Sequence, residues 1–304
     1  MPKKQSKNDN LHAALRNKND EFYTLLEDVK AECEDYKESF KNKIIYCNTD
    51  DEQSAFWKYF YQNFRYLQLK KIIATHLEEP KSYKLVSKDG ENFDKIPLQQ
   101  NGGYETEECL KLLQESDIVI TNPPFSLSKQ FIDTILSMNK KILVIGNENS
   151  FSSTLLFPYF KDQLLHTGNH KVKQFLQPDG SIKTFGNICW LTNLPNQEKP
   201  FLLLTKSYKE ESYPKYDNFD AINVDKIVDI PKDYDGIMGV PISIVGKYNP
   251  KQFEILGLAA GNTKNNKLNY KVPYTPHPLD RGGCGVVNGV RKYTRVFIQK
   301  RKEK

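Results

Sequence analysis

Nine residues, Asp117-Ile-Val-Ile-Thr-Asn-Pro-Pro-Phe125, hold the clearest chemical potential in the chain. Pro123 and Pro124 each fix their own φ and restrict the residue before them, so the Asn122 carboxamide and the carbonyls of Asn122 and Pro123 are held in one geometry. The two prolines also remove two backbone donors from the rim. An acceptor-rich turn of this kind suits an NH2 group with two protons to donate, and Phe125 adds a ring face on which a heterocycle can stack. The chemistry within reach is the gripping of a flat base by its exocyclic amine. Read as a bare tetrapeptide, Asn-Pro-Pro-Phe is equally a strand-to-helix turn.

The flanking elements favour the first reading. Ile118, Val119 and Ile120 form a β-branched run typical of a strand buried on both faces, as in parallel sheets. Ligands of open α/β sheets bind outside the carboxyl ends of strands, which is where Asn122 falls. Beyond the turn Ser126 is a candidate helix cap, and Leu127, Phe131, Ile132, Ile135 and Leu136 recur at helical spacing up to Met138. Upstream, residues 19–40 read as a helix, Lys43–Cys47 as a strand, and Phe56, Phe60, Phe64 and Leu67 as the apolar stripe of a helix. Lys71–Thr75 is a second strand. Tyr83–Val86 and Asn92–Ile96 flank a Lys-Asp-Gly turn and predict a hairpin. Helix 105–115 precedes the Asn-Pro-Pro-Phe strand; strand Lys141–Ile145, a helical stretch over 152–162 and β-rich segments around Val172, Ile188 and Leu202 follow. Alternating strands and helices argue for a largely parallel, doubly wound sheet.

Composition narrows the class. At 304 residues and 38% hydrophobic content the chain is expected to bury a large core, and no apolar stretch nears membrane-spanning length. The polar start lacks the apolar segment of a signal peptide, so a cytoplasmic protein is expected. Cys33, Cys47, Cys109, Cys189 and Cys284 are scattered and predict free thiols. The histidines lack metal-ligand spacing with them; His166 and His170 flank a turn at Gly168, and no metal is predicted. The formal charge of +6 sits in the last fourteen residues, where Arg291, Lys292, Arg295, Lys300, Arg301, Lys302 and Lys304 face a single acid, Glu303. Such a tail is either solvated or, where Tyr293, Val296 and Ile298 alternate with Arg295 and Phe297 in strand fashion, a basic face for a phosphate backbone. Past Lys206, tyrosine, proline, glycine and lysine dominate, as in a loop-rich lobe.

The strand, Asn-Pro-Pro-aromatic turn and helix resemble the amino-methyltransferases that use S-adenosylmethionine. Asn19-Asp-Glu-Phe-Tyr-Thr24 is similar to their cofactor-contacting Phe-Tyr-Thr segment. Cys189-Trp-Leu-Thr-Asn193, Tyr234-Asp-Gly-Ile-Met-Gly-Val-Pro241 and Lys247-Tyr-Asn-Pro-Lys-Gln-Phe-Glu-Ile-Leu-Gly257 resemble segments of the EcoRI-type adenine-specific DNA methyltransferases. The likeness spans Asn19 to Phe297. It implies a Rossmann-like S-adenosylmethionine-dependent methyltransferase fold with a C-terminal target-recognition region, and methyl transfer to the 6-amino group of an adenine flipped out of double-stranded DNA. Asn122, Pro123, Pro124 and Phe125 are then the catalytic turn. The resemblance implies Tyr23, Thr24 and Asn122 as cofactor contacts. The family's glycine-rich turn reads Cys47-Asn-Thr-Asp-Asp-Glu52 here, without glycine. Asp50 and Asp51 can accept hydrogen bonds from the cofactor or simply cap the next helix. Strand two ends at Thr75-His76, which leaves Thr75 and Glu78 as the candidates to grip the ribose; Asn147 either lines the target pocket or sits in a turn.

The expected organisation is a flexible segment 1–18, a catalytic domain 19–205 and a DNA-binding region 206–304, with Arg291, Lys292 and Arg295 on DNA. No membrane contact and no obligate protein partner are evident. Two other readings fit the acceptor turn: methylation of an RNA base or a protein glutamine, and a catalytically inactive nucleic-acid-binding module motivated by the missing glycines.

Overall fold

Short β-branched runs between polar residues supply the centre of the larger sheet. The computed structural model describes residues 23–302, apart from 49, 78–80, 178, 263–267, 269 and 270. In chain order come β1 (Tyr23–Thr24), α1 (Leu26–Glu34), the single turn α2 (Lys37–Phe40), β2 (Ile44–Asn48), α3 (Ala55–Gln62), β3 (Lys71–His76), β4 (Tyr83–Ser87), β5 (Asp94–Pro97), α4 (Glu107–Glu115), β6 (Ile118–Thr121), α5 (Ser128–Ser137), β7 (Lys141–Asn147), α6 (Phe157–Lys161), β8 (His166–Thr167), β9 (Gln174–Leu176), β10 (Ile182–Thr184) and β11 (Ile188–Thr192). The described residues divide into two compact units, one drawn from Met1–Asn147 and Thr167–Asn196, the other from Glu148–His166 and Gln197–Lys304.

An eight-stranded sheet runs in the order β5-β4-β3-β2-β6-β7-β11-β8. Only β3, β2, β6 and β7 are mutually parallel; β4, β5 and β11 pair antiparallel to their neighbours, so the sheet is mixed rather than largely parallel. The reason is local. The Lys-Asp-Gly turn closes β4 onto β5, and tightly linked strands can pair only antiparallel. Gly90 takes φ +72° there, and a Cβ on it would lie 2.4 Å from the Phe64 Cβ. From β2 the chain crosses outward to β3 and later returns to β6 on the opposite side, so the strand order reverses between β2 and β6. Ile45, Cys47, Ile118, Ile120, Leu143 and Ile145 are all fully or nearly fully buried in this core, with Phe56, Phe60 and Trp190 packed over them.

Helix starts follow the caps. Ser54 accepts from the Trp57 amide at 3.0 Å and Thr106 from that of Cys109 at 3.3 Å. Ser126 does not cap α5. The turn closes through the Leu127 amide on the Pro124 carbonyl at 3.0 Å, which carries Ser126 outward and makes Leu127 the cap position, without a side-chain bond. The single helix expected over 19–40 is also revised: Tyr23–Thr24 are extended because they pair with β9, and the helix begins at Leu26.

The second unit is less loop-like than its composition suggested. β12 (Ile222–Asn223), β13 (Met238–Pro241), β14 (Phe253–Ala259) and β17 (Arg295–Lys300) form a sheet ordered β12-β13-β17-β14, while β15 (Val286–Val287) and β16 (Val290–Arg291) make a separate hairpin. Phe297 and Ala259 are buried in that unit's core with Phe219 and Tyr216, and α6 packs on β14. Among the described residues no helix is long and apolar enough to cross a membrane.

Candidate active site at the ends of the central strands

In sheets of this kind ligands bind where the strand order reverses; here it reverses between β2 and β6, and Asn122 follows directly on β6. One residue earlier, the Thr121 hydroxyl lies 2.7 Å from the Asn48 carbonyl and 2.8 Å from Asp50 Oδ2. Both partners accept, so the single Thr121 proton is shared between the Asn48 carbonyl and the Asp50 carboxyl. Burial pushes the Asp50 carboxyl up to about 7, against hydrogen bonds from Thr121 and Ser54. Thr121 therefore ties the end of β6 to the end of β2 and the turn that follows it. Asp51, half-buried beside it, accepts from the Gln53 amide at 2.8 Å and so shapes the turn into α3.

Phe125 belongs to an aromatic wall. Its ring meets Phe175 edge-on at 6.3 Å and Phe185 at 6.0 Å, and the last two meet at 5.6 Å. Lys183 Nζ lies 5.3 Å from the Phe185 ring centroid. The small sheet β1-β9-β10 builds this wall, with Thr24 opposite Phe175 and Tyr23 opposite Leu176. Thus the Tyr23-Thr24 segment reaches the acceptor turn through Phe175. Tyr23 is 49% exposed, whereas Thr24 is buried and its hydroxyl has no hydrogen-bond partner among the described residues. The chain leading into β9 is pinned by Glu32, whose carboxylate accepts from the amides of Asn169 at 2.9 Å and His170 at 2.7 Å. Only glycine fits at 168, where a Cβ would stand 2.0 Å from Glu32 Oε1 and 2.6 Å from the Trp190 Cβ.

At the end of β3 the picture departs from the expected ribose grip. Thr75 is fully buried and its hydroxyl is bonded to Tyr46 and to the Asn48 amide, each at 3.0 Å. Glu78 lies outside the described residues. His76 stacks on Tyr83 at 4.8 Å instead, and Tyr83 donates to Glu52 at 2.6 Å. Lys95 also donates to Glu52 at 2.6 Å while its Nζ sits 3.8 Å from the Tyr83 ring centroid. Against the upward push of burial, the bonds from Lys95 and Tyr83 hold Glu52 well below the usual carboxylate range. Asn147, at the end of β7, accepts from Asn187 at 3.1 Å.

The three basic residues assigned to DNA in the second unit part company. Arg295 is 9% exposed and pairs with Asp225 at 3.0 Å; Lys292 lies 3.7 Å from the same carboxylate. Arg291 alone is exposed without a carboxylate partner among the described residues.

Sequence reasoning missed Thr121, Phe175, Phe185, Glu52 and Tyr83. Thr121 was visible as the residue before Asn122 but reads there as a strand residue. The two phenylalanines carry no local signal, since their partner lies about 50 to 60 residues away in sequence and distant pairing is not encoded in any short window.

The model of the family described as adenine-specific methyltransferase EcoRI matches residues 10–302. The chain is 38% identical over 308 residues to the type II methyltransferase M.EcoRI of Escherichia coli, covering 87% of this chain and 94% of that one. It is 37% identical over 313 residues to the type II methyltransferase M.MgeORF184P of Mycoplasma genitalium, covering 94% and 97%. For the type II methyltransferase M.MpnI of Mycoplasma pneumoniae the figures are 36% over 312 residues, 95% and 97%. No solved structure matches the chain. With that family model matched over residues 10–302 and relatives 36–38% identical over most of both chains, the chain belongs to the EcoRI family of adenine-specific methyltransferases.

Proposed function

We propose that this adenine-specific methyltransferase transfers a methyl group from S-adenosylmethionine to the 6-amino group of an adenine flipped out of double-stranded DNA. The setting would be a restriction–modification system or a phage or orphan modification enzyme, and the sheet would be the core of a Rossmann-like, doubly wound methyltransferase fold. One observation carries the reading: Asn122-Pro-Pro-Phe125 sits where the strand order reverses, backed by the Phe125, Phe175 and Phe185 rings.

Adenine's amine is a poor nucleophile because its lone pair is delocalised into the ring. Acceptors from Asn122 and the Pro123 carbonyl would take both amine protons and turn the lone pair out of the ring plane, an interaction that strengthens toward the transition state. Pro123 and Pro124 keep those acceptors from relaxing. Extruding a paired base costs a few kcal/mol, and stacking on Phe125 would offset about 1–3 kcal/mol of it.

S-adenosylmethionine, the donor the family implies, supplies an electrophilic methyl on a sulfonium when bound. The residues present fit such a molecule. Thr24 offers a buried hydroxyl with no partner among the described residues, Tyr23 an exposed ring next to it, and Asp51 an acceptor at the end of β2. Those three and Asn122 are the residues we assign to hold it. Asp50 and Thr75, whose side chains are engaged with Thr121 and with Tyr46 and Asn48, would support the floor instead. Catalysis would fall to the first unit and recognition of DNA to the second.

Asn122→Ala tests the assignment. In single-turnover assays with radiolabelled donor, transfer should fall by about 10²–10³-fold, the scale of losing one preorganised polar group. DNA affinity should stay near the wild-type value. A variant that transfers at wild-type rate removes Asn122 from the chemistry.

A further inference from the structure

Four cations of the basic tail are already engaged within the second unit. Lys292 and Arg295 are engaged by Asp225, Lys300 lies 3.6 Å from Asp235, and Arg301 donates to the Pro250 carbonyl at 2.7 Å and lies 3.8 Å from Glu254. Two exposed arginines of the second unit differ. Neither Arg291, on β16, nor Arg281 has a carboxylate partner among the described residues. Two acids bonded to the same loop and hairpin, Asp280 and Asp217, are turned to other donors. Asp280 accepts from the Tyr274 hydroxyl at 2.5 Å and from the amides of Gly282 at 2.7 Å and His277 at 2.9 Å; Asp217 accepts from the amides of Gly289 at 2.8 Å and Asn288 at 3.1 Å.

The two arginines stand on adjoining, rigid supports. Asn288 and Gly289 take φ +49° and +70°, as the tight turn of a two-residue hairpin requires, and pair Val287 with Val290 and Val286 with Arg291. Val286 and Val287 are buried, and the Lys292 amide continues the pairing onto the Gly285 carbonyl at 2.8 Å. Arg281 lies on the loop just before, where its carbonyl accepts from the Asn262 amide at 2.7 Å and the Cys284 amide closes on the Asp280 carbonyl at 2.7 Å. A Cβ on Gly261 would lie 3.1 Å from Cys284 Sγ and 3.4 Å from Arg281 Cβ, so Arg281 and Cys284 flank the same stretch of backbone just ahead of the hairpin. Beside them Tyr293 is 88% exposed and Val290 62% exposed.

Arg281 is also held at φ +51°. A left-handed backbone costs a side-chain-bearing residue about 1–2 kcal/mol, and glycine would adopt it freely. A costly conformation at a residue with an exposed, unpaired guanidinium points to a use for that group. Uncompensated arginines, an exposed aromatic ring and a rigid two-stranded ribbon together match a duplex, since the major groove admits such a ribbon and arginine reads its edges. We propose that Arg281, Arg291 and Tyr293 form the face on which the second unit docks duplex DNA, with the Asn288-Gly289 tip entering a groove. This rests on the DNA substrate proposed above.

Fluorescence anisotropy with the full chain tests it, using a labelled duplex that carries the site this protein methylates in a methylation-free host and omitting the donor. Arg291→Ala, Arg281→Gly and Tyr293→Ala should each weaken binding about tenfold, within the range of one lost arginine contact or base stack. Loss of both arginines together should flatten the salt dependence by about one to two ion equivalents. Arg281→Gly should at the same time raise the thermal midpoint by relieving the backbone, a combination that damage to the fold does not produce. Lys251→Ala, in an exposed pair with Glu198, should change nothing. Wild-type affinity and salt slope in both arginine variants overturn the docking face, and a duplex RNA of the same sequence competing as well as DNA overturns the choice of partner. A wild-type chain that binds the duplex yet transfers no methyl group would count against the activity and leave the docking face standing.

Discussion

Replacing Asp50 by Asn tests the buried carboxyl that Thr121 of β6 contacts. Asp50 titrates at about 7 in the folded protein against 3.8 for an ordinary Asp, with burial the leading cause. The folded state thus keeps a proton that the unfolded state releases. The stabilisation is complete below about pH 4, declines as pH rises, and is gone once pH passes the folded pKa near 7. About three pH units, each worth about 1.4 kcal/mol, give about 4 kcal/mol in all, more than half of it lost between pH 5 and pH 8. The Asn side chain is nearly isosteric with the acid, can accept from Thr121 through its amide oxygen and does not titrate. Urea unfolding of both proteins at a series of pH values isolates the group, because every other titration cancels in the difference. For a slope of about 2–3 kcal/mol per molar, the wild-type midpoint should fall by roughly 1 M more than that of Asp50→Asn between pH 5 and pH 8. Parallel midpoints would mean that Asp50 is ionised in the fold across this pH range.

Two further outcomes follow from the same unit. Phe125→Leu keeps an apolar side chain but removes the ring from the Phe175 and Phe185 cluster; transfer at low DNA concentration should fall about tenfold, with less extrusion signal from a fluorescent purine at the target position and unchanged donor binding. Gly168→Ala forces a methyl group against Glu32 and Trp190 and should cost about 3 kcal/mol in urea unfolding, while Gly186→Ala, in open space, should be close to neutral.

How much of this could be read in advance varied with range. Ile118–Ile120 announced a buried strand and Asn-Pro-Pro-Phe the turn that leaves it, because both signals lie within nine residues. The hairpin at Gly90 was legible for the same reason. What escaped was long-range pairing. Nothing near Tyr23 says that it meets Leu176, so its segment read as helix, and a β-branched pattern alone does not tell a parallel neighbour from an antiparallel one. Arg295 shows the opposite failure: strand alternation was correctly anticipated, but alternation does not reveal which face carries Asp225, and the arginine turned inward.

The pairing of β1 with β9 also bears on how the molecule is made. Thr24 leaves the ribosome early, yet its partner Phe175 emerges about 150 residues later, a wait of many seconds at ordinary synthesis rates. The wall behind Phe125 therefore cannot assemble on a short nascent chain. A fusion placed just ahead of Tyr23 would interfere with a pairing made late in synthesis rather than an early one.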